Sequence, residues 1–368
     1  MSRPRVAVAH DYLTQRGGAE RVVLSIMRAF PDAKLYTTLY DPDGTFPEFR
    51  DAAIVTSPLN RSGFLRRHHR AALPLLPYAV SRLRVDADVL VASSSGWAHG
   101  IRTTGRKLVY CHAPARWLYQ AETYLGGPMS GSSKGLALQL LTPWLRRWDQ
   151  QAAASADRYL VNSNVVRTHV RAAYDIDGAV LAPPFGLTAS DVRQAVPELA
   201  DWVRPGYHLI VSRLLPYKNV DRAIEAFRLS PERLVAVGHG PLEELLRSTL
   251  PDNVRILTGL TDAQLRWVYA QATALVAPSI EDFGLTPLEA AAFGKPTVAL
   301  RAGGYLDTVV PGLSGTFFEE ASPAAIRHAV EEARQRRWDA AAIQAHAERF
   351  SEERFHEQLR LEVERLLT

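Results

Sequence analysis

The chain has 368 residues, 47% of them hydrophobic and 22% charged, which fits a globular protein with enough material for two domains. A formal net charge of +4 is too small to indicate nucleic-acid binding, and no apolar run reaches the roughly 18–20 residues that cross a bilayer. The single cysteine, Cys111, excludes an intramolecular disulfide, and the start of the chain does not resemble a signal peptide. We therefore expect a cytoplasmic protein.

Short valine-rich runs alternate with helical patterns in the first half of the chain. A strand predicted at 5–10 is followed by Gly17-Gly18 and by a helix with Val22, Val23, Ile26 and Phe30 on its apolar face. Similar runs predict further strands at 88–93, 107–112 and 158–163. Continuous apolar strands separated by helices indicate a parallel sheet that is covered on both faces.

Two segments of this half suggest contacts with other molecules. Residues 61–84 mix arginine and histidine with leucine, phenylalanine and tyrosine. They form either a solvated basic face or a surface for anionic lipid or a phosphate-bearing acceptor. Residues 124–135 are rich in glycine and serine, and they predict a loop that orders over an acceptor.

The alternating pattern stops over 182–207 and then restarts. Strands are predicted at 207–212, 233–238, 254–259, 274–279 and 296–301. Helices are predicted at 219–228, 241–250, 263–272 and 286–293. The last segment, 351–368, predicts an amphipathic helix with Phe355, Leu359, Leu361, Leu366 and Leu367 as its apolar positions.

This pattern predicts an α/β protein with two doubly wound, Rossmann-like domains. The first covers 1–185, and the final helix, 351–368, is a candidate to pack on it; the second covers 186–350. We expect a ligand cleft at the carboxyl ends of both sheets.

Two glutamates stand eight positions apart in the second domain. Glu281 and Asp282 lie in the loop after a predicted strand, and Gly284 adjoins the next helix. Thr286 as N-cap with Glu289 three residues later fits a capping box, which would make Glu289 structural. The alternative is that amides at the helix start bind phosphate, while the glutamates Glu281 and Glu289 hold hydroxyls of a sugar and a ribose.

Two cations follow the first strand of the second domain. Arg213 and Lys218 flank a loop at the end of this strand. They are either solvated surface cations or the groups that neutralise a diphosphate, with Arg213 binding in a forked geometry.

The first domain offers weaker signals at its strand ends. Gly17-Gly18 permits close approach of a phosphate, although many turns need two glycines. His112 ends a strand and is the best candidate here for a contact to a transferred group, although a lone histidine is more often structural. His10 and Asp11 occupy an equivalent position and rank below His112.

Metal chemistry is not expected. The chain lacks HExxH, paired cysteines and a DxD triplet placed at a strand's carboxyl end, since Asp86-Ala87-Asp88 precedes its strand. Charge on a leaving diphosphate would be met by Arg213, Lys218 and helix termini, with no cofactor.

These residues resemble the retaining GT-B glycosyltransferases of family 4 over nearly the whole chain. Glu281 and Glu289 match the family's E-x7-E motif within "FGLTPLEAAAFGKPTVA". "SRLLPYKNVDRAIEAF", "VGHGP" and "GGYLDTVVPGLSG" resemble further family segments. "HDYLTQRGGAERV", "RRHHRAALPLLPYAV" and "YCHAPARWLY" resemble the subgroup with many bacterial mannosyltransferases. His239 and Asp307 depart from residues that are common in the family.

The resemblance implies a metal-independent transfer of a hexosyl group, with retention, from a nucleotide-diphosphate sugar to a hydroxyl acceptor. His112 would contact the transferred sugar near its 6-position, Arg213 and Lys218 the diphosphate, Glu281 the sugar hydroxyls and Glu289 the ribose. Backbone or close contacts to the donor would come from Gly17, Gly18, Gly238, Phe283, Gly284 and Leu285. GDP-mannose is the favoured donor and a UDP-sugar the alternative.

Other activities fit the same fold. A sugar phosphorylase, a sucrose-synthase-like enzyme, a nucleotide-sugar epimerase and a non-catalytic nucleotide-binding protein are the rivals. A Rossmann oxidoreductase is disfavoured because no GxGxxG follows any predicted strand. The acceptor stays open among a lipid-linked sugar, a polysaccharide end and a small natural product.

Overall fold

The computed structural model describes residues 4–68, 72, 75–119 and 133–368. The chain divides into two compact units, one of residues 1–184 with 352–368 and the other of residues 185–351. These boundaries lie within one residue of the predicted ones. Within the described residues, no helix is both long enough and apolar enough to cross a membrane.

The first unit is built on a parallel sheet. Its strands are β1 (Val6–His10), β2 (Leu35–Thr37), β3 (Ile54–Thr56), β4 (Arg84–Val85), β5 (Val89–Ser94), β6 (Arg102–Thr103), β7 (Arg106–Cys111), β8 (Arg158–Val161) and β9 (Ala179–Val180). Seven of them pair in the order β3-β2-β1-β5-β7-β8-β9, and β4 pairs with β6 separately. Its helices are Gly18–Ala29, Gly63–Arg67, Leu76–Arg82, Arg116–Tyr119, Ser133–Ala154, Asn164–Tyr174 and Glu352–Arg365.

Side chains of alternate residues cover the two faces of this sheet. Leu90 and Val109 belong to one buried cluster, whereas Val91 and Tyr110 belong to the other. This alternation follows from the two-residue period of a strand, and burial on both faces explains the continuous apolar runs.

The C-terminal helix Glu352–Arg365 closes one face of this unit. Its residues Phe355, Leu359 and Val363 are buried in the same cluster as Tyr110. The ring of Phe355 meets that of Tyr110 edge to face, with centroids 5.7 Å apart. Two of the apolar positions named from the sequence, Leu361 and Leu367, are exposed, because the buried stripe follows a four-residue spacing that leaves them outside it.

The second unit has a six-stranded parallel sheet. Its strands are β10 (His208–Val211), β11 (Leu234–Val237), β12 (Val254–Leu257), β13 (Ala274–Ala277), β14 (Thr297–Leu300) and β15 (Gly315–Phe318), in the order β12-β11-β10-β13-β14-β15. Its helices are Val220–Arg228, Glu243–Arg247, Asp262–Gln271, Leu285–Ala292, Tyr305–Thr308, Pro323–Gln335 and Ala340–Ala347. The predicted α/β architecture of two Rossmann-like sheets is confirmed.

Histidine in the core of the second sheet makes this unit sensitive to acid. His208 is buried in β10, and its Nδ1 has no hydrogen-bond partner among the described residues. Burial lowers the pKa of His208 to about 4. As the pH is lowered, this side chain binds a proton near pH 6.5 in the unfolded protein but only near pH 4 in the folded protein. The free energy of unfolding therefore decreases as the pH falls from 6.5 to 4.

We expect His208→Leu to flatten the loss of stability between pH 6.5 and pH 4. The substitution should remove a pH-dependent loss in the free energy of unfolding that is of the order of 3 kcal/mol at pH 4. Urea unfolding at several pH values measures it, and His328→Leu, which changes an exposed histidine, is the control. An unchanged slope in His208→Leu would contradict the assignment.

Candidate functional site

The carboxyl edge of the second sheet brings two of the predicted residues into contact. Lys218 ends a short 3-10 helix, Pro216–Lys218, after β10, and Glu281 follows β13, the neighbour of β10. The Nζ of Lys218 donates to Oε1 of Glu281 in a close ion pair. The lysine is 8% exposed, so this cation is largely shielded from water.

A second chain of hydrogen bonds reaches the same carboxylate oxygen. Ser279 Oγ lies 2.7 Å from Glu281 Oε1 and 3.0 Å from the hydroxyl of Tyr305. Since a carboxylate only accepts, Ser279 donates to Glu281 and accepts from Tyr305. Burial, together with the charge of Glu281, raises the pKa of Tyr305, which keeps this hydroxyl protonated.

The other oxygen of Glu281 is the one that a ligand can use. Oε2 has no hydrogen-bond partner among the residues that the structure describes, whereas Oε1 accepts from Lys218 and Ser279. The carboxylate is therefore held in place through one oxygen and presents the other. Such an oxygen suits a ligand hydroxyl group.

The loop that carries Glu281 rests on a second loop that sequence analysis did not place in the site. The amide of Gly304 donates to the carbonyl of Glu281 over 2.8 Å. A Cβ at Gly304 would overlap the backbone of Phe283 and lie 2.5 Å from the carbonyl oxygen of Asp282. The pattern "GGYLD" was a signal for this close packing.

The structure does not support the capping box that was one of the two alternatives for Glu289. The helix begins at Leu285, with Gly284 as its N-cap at φ 88°, and no side chain caps it. Glycine reaches this left-handed conformation without strain, so the turn itself sets the helix start. Glu289 instead accepts a hydrogen bond of 2.8 Å from the hydroxyl of Tyr269 and is 9% exposed.

The remaining predicted residues of this unit lie around the strand ends. Arg213 is exposed after β10, with its Nη2 3.4 Å from the hydroxyl of Tyr217. Gly238 follows β11, and its amide donates to the carbonyl of Leu257. Phe283 is buried beside Glu281, and Leu285 begins the helix after Gly284.

His239 is exposed, and its carbonyl accepts from the amide of Leu214 at 2.9 Å. The departure from the family at this position therefore leaves the backbone of the turn anchored to the loop after β10. The loop holds the turn through its main chain, so the identity of the side chain is not needed for this contact.

The first unit places its candidates after the carboxyl ends of β1 and β7, which lie on either side of β5. Gly17 is the N-cap of helix Gly18–Ala29, which follows β1, and His112 directly follows β7. The Nε2 atom of His112 lies 2.8 Å from Ser93 Oγ, a contact that sequence analysis missed. Burial, with the neighbouring His10, lowers the pKa of His112 to about 3, so the ring is neutral at pH 7.

Asp11 binds the backbone that follows β5. Its carboxylate accepts from the amides of Ser95, Trp97 and Ala98 at 2.6 to 3.0 Å. The carboxylate of Asp11 therefore anchors this loop.

Asp86 and Asp88 contact Arg5 at the opposite, amino-terminal edge of the first sheet. The predicted acceptor loop, 124–135, lies outside the described residues except for its last three positions, which begin helix Ser133–Ala154.

Two family models together match most of this chain. A family model described as Glycosyltransferase Family 4 matches residues 16–185, and one described as Glycosyl transferases group 1 matches residues 202–352. The alpha-1,3/1,6-mannosyltransferase ALG2 of Homo sapiens is 26% identical, over 99% of this chain and 97% of its own. Glycogen synthase of Thermus thermophilus is 35% identical over 140 residues, which span only 31% of that enzyme.

Solved structures share the fold over nearly the whole chain. Anabaena HepE in complex with UDP is 18% identical, with a TM-score of 0.68 over 98% of this chain and 99% of its own. The sucrose-phosphate synthase of Thermosynechococcus elongatus is 17% identical, with the same TM-score over 99% of both chains. At these identities the likeness concerns the fold alone.

Proposed function

We propose that this chain, which belongs to the GT-B glycosyltransferases of family 4, transfers a hexosyl group from a nucleotide-diphosphate sugar to a hydroxyl acceptor. The pair formed by Lys218 and Glu281 carries the proposal. It places a shielded cation beside a carboxylate oxygen that is open to a ligand, at the carboxyl edge of a parallel sheet. A diphosphate and a sugar hydroxyl are the groups that such a pair can hold together.

The donor we favour is GDP-mannose. A relative that matches along almost its full length is a mannosyltransferase, which supports a mannosyl group. A UDP-sugar is the alternative, because Anabaena HepE, which shares the fold, binds UDP and UDP-glucose. The acceptor is a saccharide, a lipid-linked sugar or a small natural product.

Each candidate residue has a proposed contact with the donor. Arg213 and Lys218 bind the diphosphate and stabilise it as it leaves. Glu281 holds hydroxyls of the sugar, Glu289 those of the ribose, and His112 an oxygen of the transferred sugar. Close backbone contacts come from Gly17, Gly18, Gly238, Phe283, Gly284 and Leu285.

We propose retention of configuration by attack on the face from which the diphosphate departs. The departing phosphate oxygen takes the proton of the acceptor hydroxyl, so neither glutamate serves as a nucleophile. The positive charge of Arg213 and Lys218 meets the developing charge of the diphosphate, which is why we propose a reaction independent of metal.

We expect one nucleoside diphosphate to stabilise the protein selectively. A ligand present at about 100 times its dissociation constant adds roughly 2.7 kcal/mol of stability. Melting curves with GDP, UDP, dTDP and ADP, each with and without magnesium, measure this. A shift with GDP alone, equal in both conditions, supports GDP-mannose as donor, whereas a shift with UDP alone selects the alternative.

The absence of any shift would instead favour a protein without a diphosphate site, and dependence on magnesium would contradict metal independence. The product of a reaction with a sugar nucleotide and an acceptor separates a transferase from a phosphorylase or an epimerase. Stabilisation without turnover would point to a non-catalytic nucleotide-binding protein.

We further propose peripheral contact with an anionic membrane through part of 61–84, which fits a cytoplasmic enzyme. Phe64 and Tyr78 are each 59% exposed, and Leu75, three residues before Tyr78, is also exposed. Arg82 lies over the ring of Tyr78, 4.7 Å from its centroid. No aspartate or glutamate occurs from 52 to 85, a stretch that contains six arginines.

We expect the protein to sediment with vesicles of phosphatidylcholine and phosphatidylglycerol and not with phosphatidylcholine alone. The double variant Phe64→Ser, Tyr78→Ser should lower binding about tenfold or more, because two aromatic anchors are lost. Leu229→Ser, at an exposed leucine of the second unit, is the matched control. Equal binding to both vesicle types, or none, would refute the contact.

A further inference from the structure

Four buried polar side chains are connected along the carboxyl edge of the first sheet. Glu20, His10, Ser93 and His112 are between 0% and 8% exposed. His10 Nε2 lies 3.8 Å from Glu20 Oε1, and His10 Nδ1 lies 3.1 Å from both oxygens of Ser93. Ser93 Oγ then lies 2.8 Å from His112 Nε2. The contacts join a carboxylate to His112 through a histidine and a serine.

The chemistry of the acceptors fixes where the protons lie. The backbone carbonyl of Ser93 only accepts, so His10 Nδ1 carries a hydrogen and donates it to the two oxygens of Ser93. The hydroxyl hydrogen of Ser93 then has His112 Nε2 as its acceptor. If Nε2 were protonated instead, that hydroxyl hydrogen would be buried without a partner, which is costly.

The charges along the chain favour the same arrangement. Burial alone would lower the pKa of His10, but Glu20 and Asp11 outweigh burial and raise it. When it is protonated, His10 donates from both nitrogens, toward Glu20 and toward Ser93. Burial, together with the neighbouring His10, lowers the pKa of His112 to about 3, so this ring is neutral at pH 7 and holds a single ring proton.

Each end of the chain has an atom without a hydrogen-bond partner among the described residues. His112 Nδ1 makes no hydrogen bond with any described residue. At the other end, Glu20 Oε1 accepts from Gln15 at 3.0 Å, whereas the buried Oε2 has no partner in the described part of the chain. That oxygen lies 2.6 Å from where a Cβ at Gly17 would stand, so it points at the glycine pair.

We propose that Glu20, His10 and Ser93 are positioning residues that hold His112 with its proton on Nδ1, so that His112 donates a hydrogen bond to an oxygen of the bound sugar. The proposal deepens the proposed function and rests on it for the identity of the ligand. It assigns the direction of this hydrogen bond, since the opposite tautomer would offer only an acceptor at Nδ1.

The tautomer can be measured without any substrate. Protein labelled with nitrogen-15 in histidine is recorded at pH 7 by long-range proton–nitrogen correlation, with His112 assigned from the spectrum of His112→Gln. We expect a protonated Nδ1 and an unprotonated Nε2. Ser93→Ala should change this pattern, and Ser93→Thr, which keeps the hydroxyl, should restore it.

Kinetics with the donor test the positioning role. Ser93→Ala should lower kcat/KM about tenfold, the effect of losing one hydrogen bond, and Ser93→Thr should recover most of it. Ser25→Ala is the matched control, because the Ser25 hydroxyl also meets a histidine Nε2, that of His356 at 3.0 Å, away from this edge. It should change only the signals of His356 and leave turnover unchanged.

The outcomes separate this proposal from the proposed function. A protonated Nε2 on His112 in the unmodified protein would overturn it, as would a Ser93→Ala variant with unaltered His112 signals and turnover. If no sugar nucleotide is turned over, the proposed function fails, and the spectra of the two Ser93 variants still decide the tautomer.

Discussion

Glu281→Gln is expected to lower turnover of the donor sugar by about a hundredfold or more while the protein stays folded. Glutamine keeps the shape of the side chain and an oxygen that accepts from Ser279. It removes the negative charge that pairs with Lys218 and weakens the oxygen that we propose for the sugar hydroxyl. Initial rates at saturating acceptor measure the effect.

Lys218→Met gives the reciprocal test of the pair. It removes the cation proposed for the diphosphate, so both turnover and the stabilisation by nucleotide should fall. Because the two side chains act as one unit, the double variant should be little worse than the more impaired single variant. Glu319→Gln, which breaks an exposed ion pair of 2.7 Å with Arg301, should leave turnover unchanged. Full activity in Glu281→Gln would remove this residue from the site.

Gly304→Ala is expected to cost about 2–3 kcal/mol of stability and to abolish most turnover. The added methyl group would meet backbone atoms of Asp282 and Phe283, which cannot rotate away as a side chain could. The loop that carries Glu281 would therefore have to shift. Gly304 has φ of −70°, so alanine adds no backbone strain of its own, and the whole effect reports the close packing.

Gly259→Ala is the opposite case and serves as the control. Its φ of 69° strains alanine, but no atom lies within 4 Å of the added carbon. We expect a modest loss of stability, seen in urea unfolding, and normal turnover. If Gly304→Ala behaved like Gly259→Ala, the loop of Gly303 and Gly304 would not position Glu281.

The main strands were predictable because they are buried on both faces, and such strands appear in the sequence as continuous apolar runs. The short strands β2, β3, β9 and β15 were not predicted because two to four residues show no clear period. The helix predicted at 241–250 is shorter, Glu243–Arg247. Helices Pro323–Gln335 and Ala340–Ala347 were not predicted, although their alanine content favours helix.

Residue types at strand ends pointed to Lys218 and Glu281 separately, but not to their contact, because the two residues are 63 positions apart in the chain. The two side chains are in contact because β10 and β13 are neighbours in the sheet, and this strand order could not be predicted from the sequence. Ser279, Tyr305 and Ser93 were missed because a hydroxyl near a strand end carries no signal of its own. Thr286 suggested a side-chain N-cap, but Gly284 is the N-cap residue of this helix and no side chain caps it.

The return of the last helix to the first unit bears on the order in which the chain folds during synthesis. The second unit, 185–351, is continuous and has been synthesised in full before Phe355, Leu359 and Val363 are added. The first unit begins earlier but finishes later, since one side of its core stays uncovered until those residues arrive. A substitution or truncation in helix Glu352–Arg365 is therefore expected to destabilise the first unit.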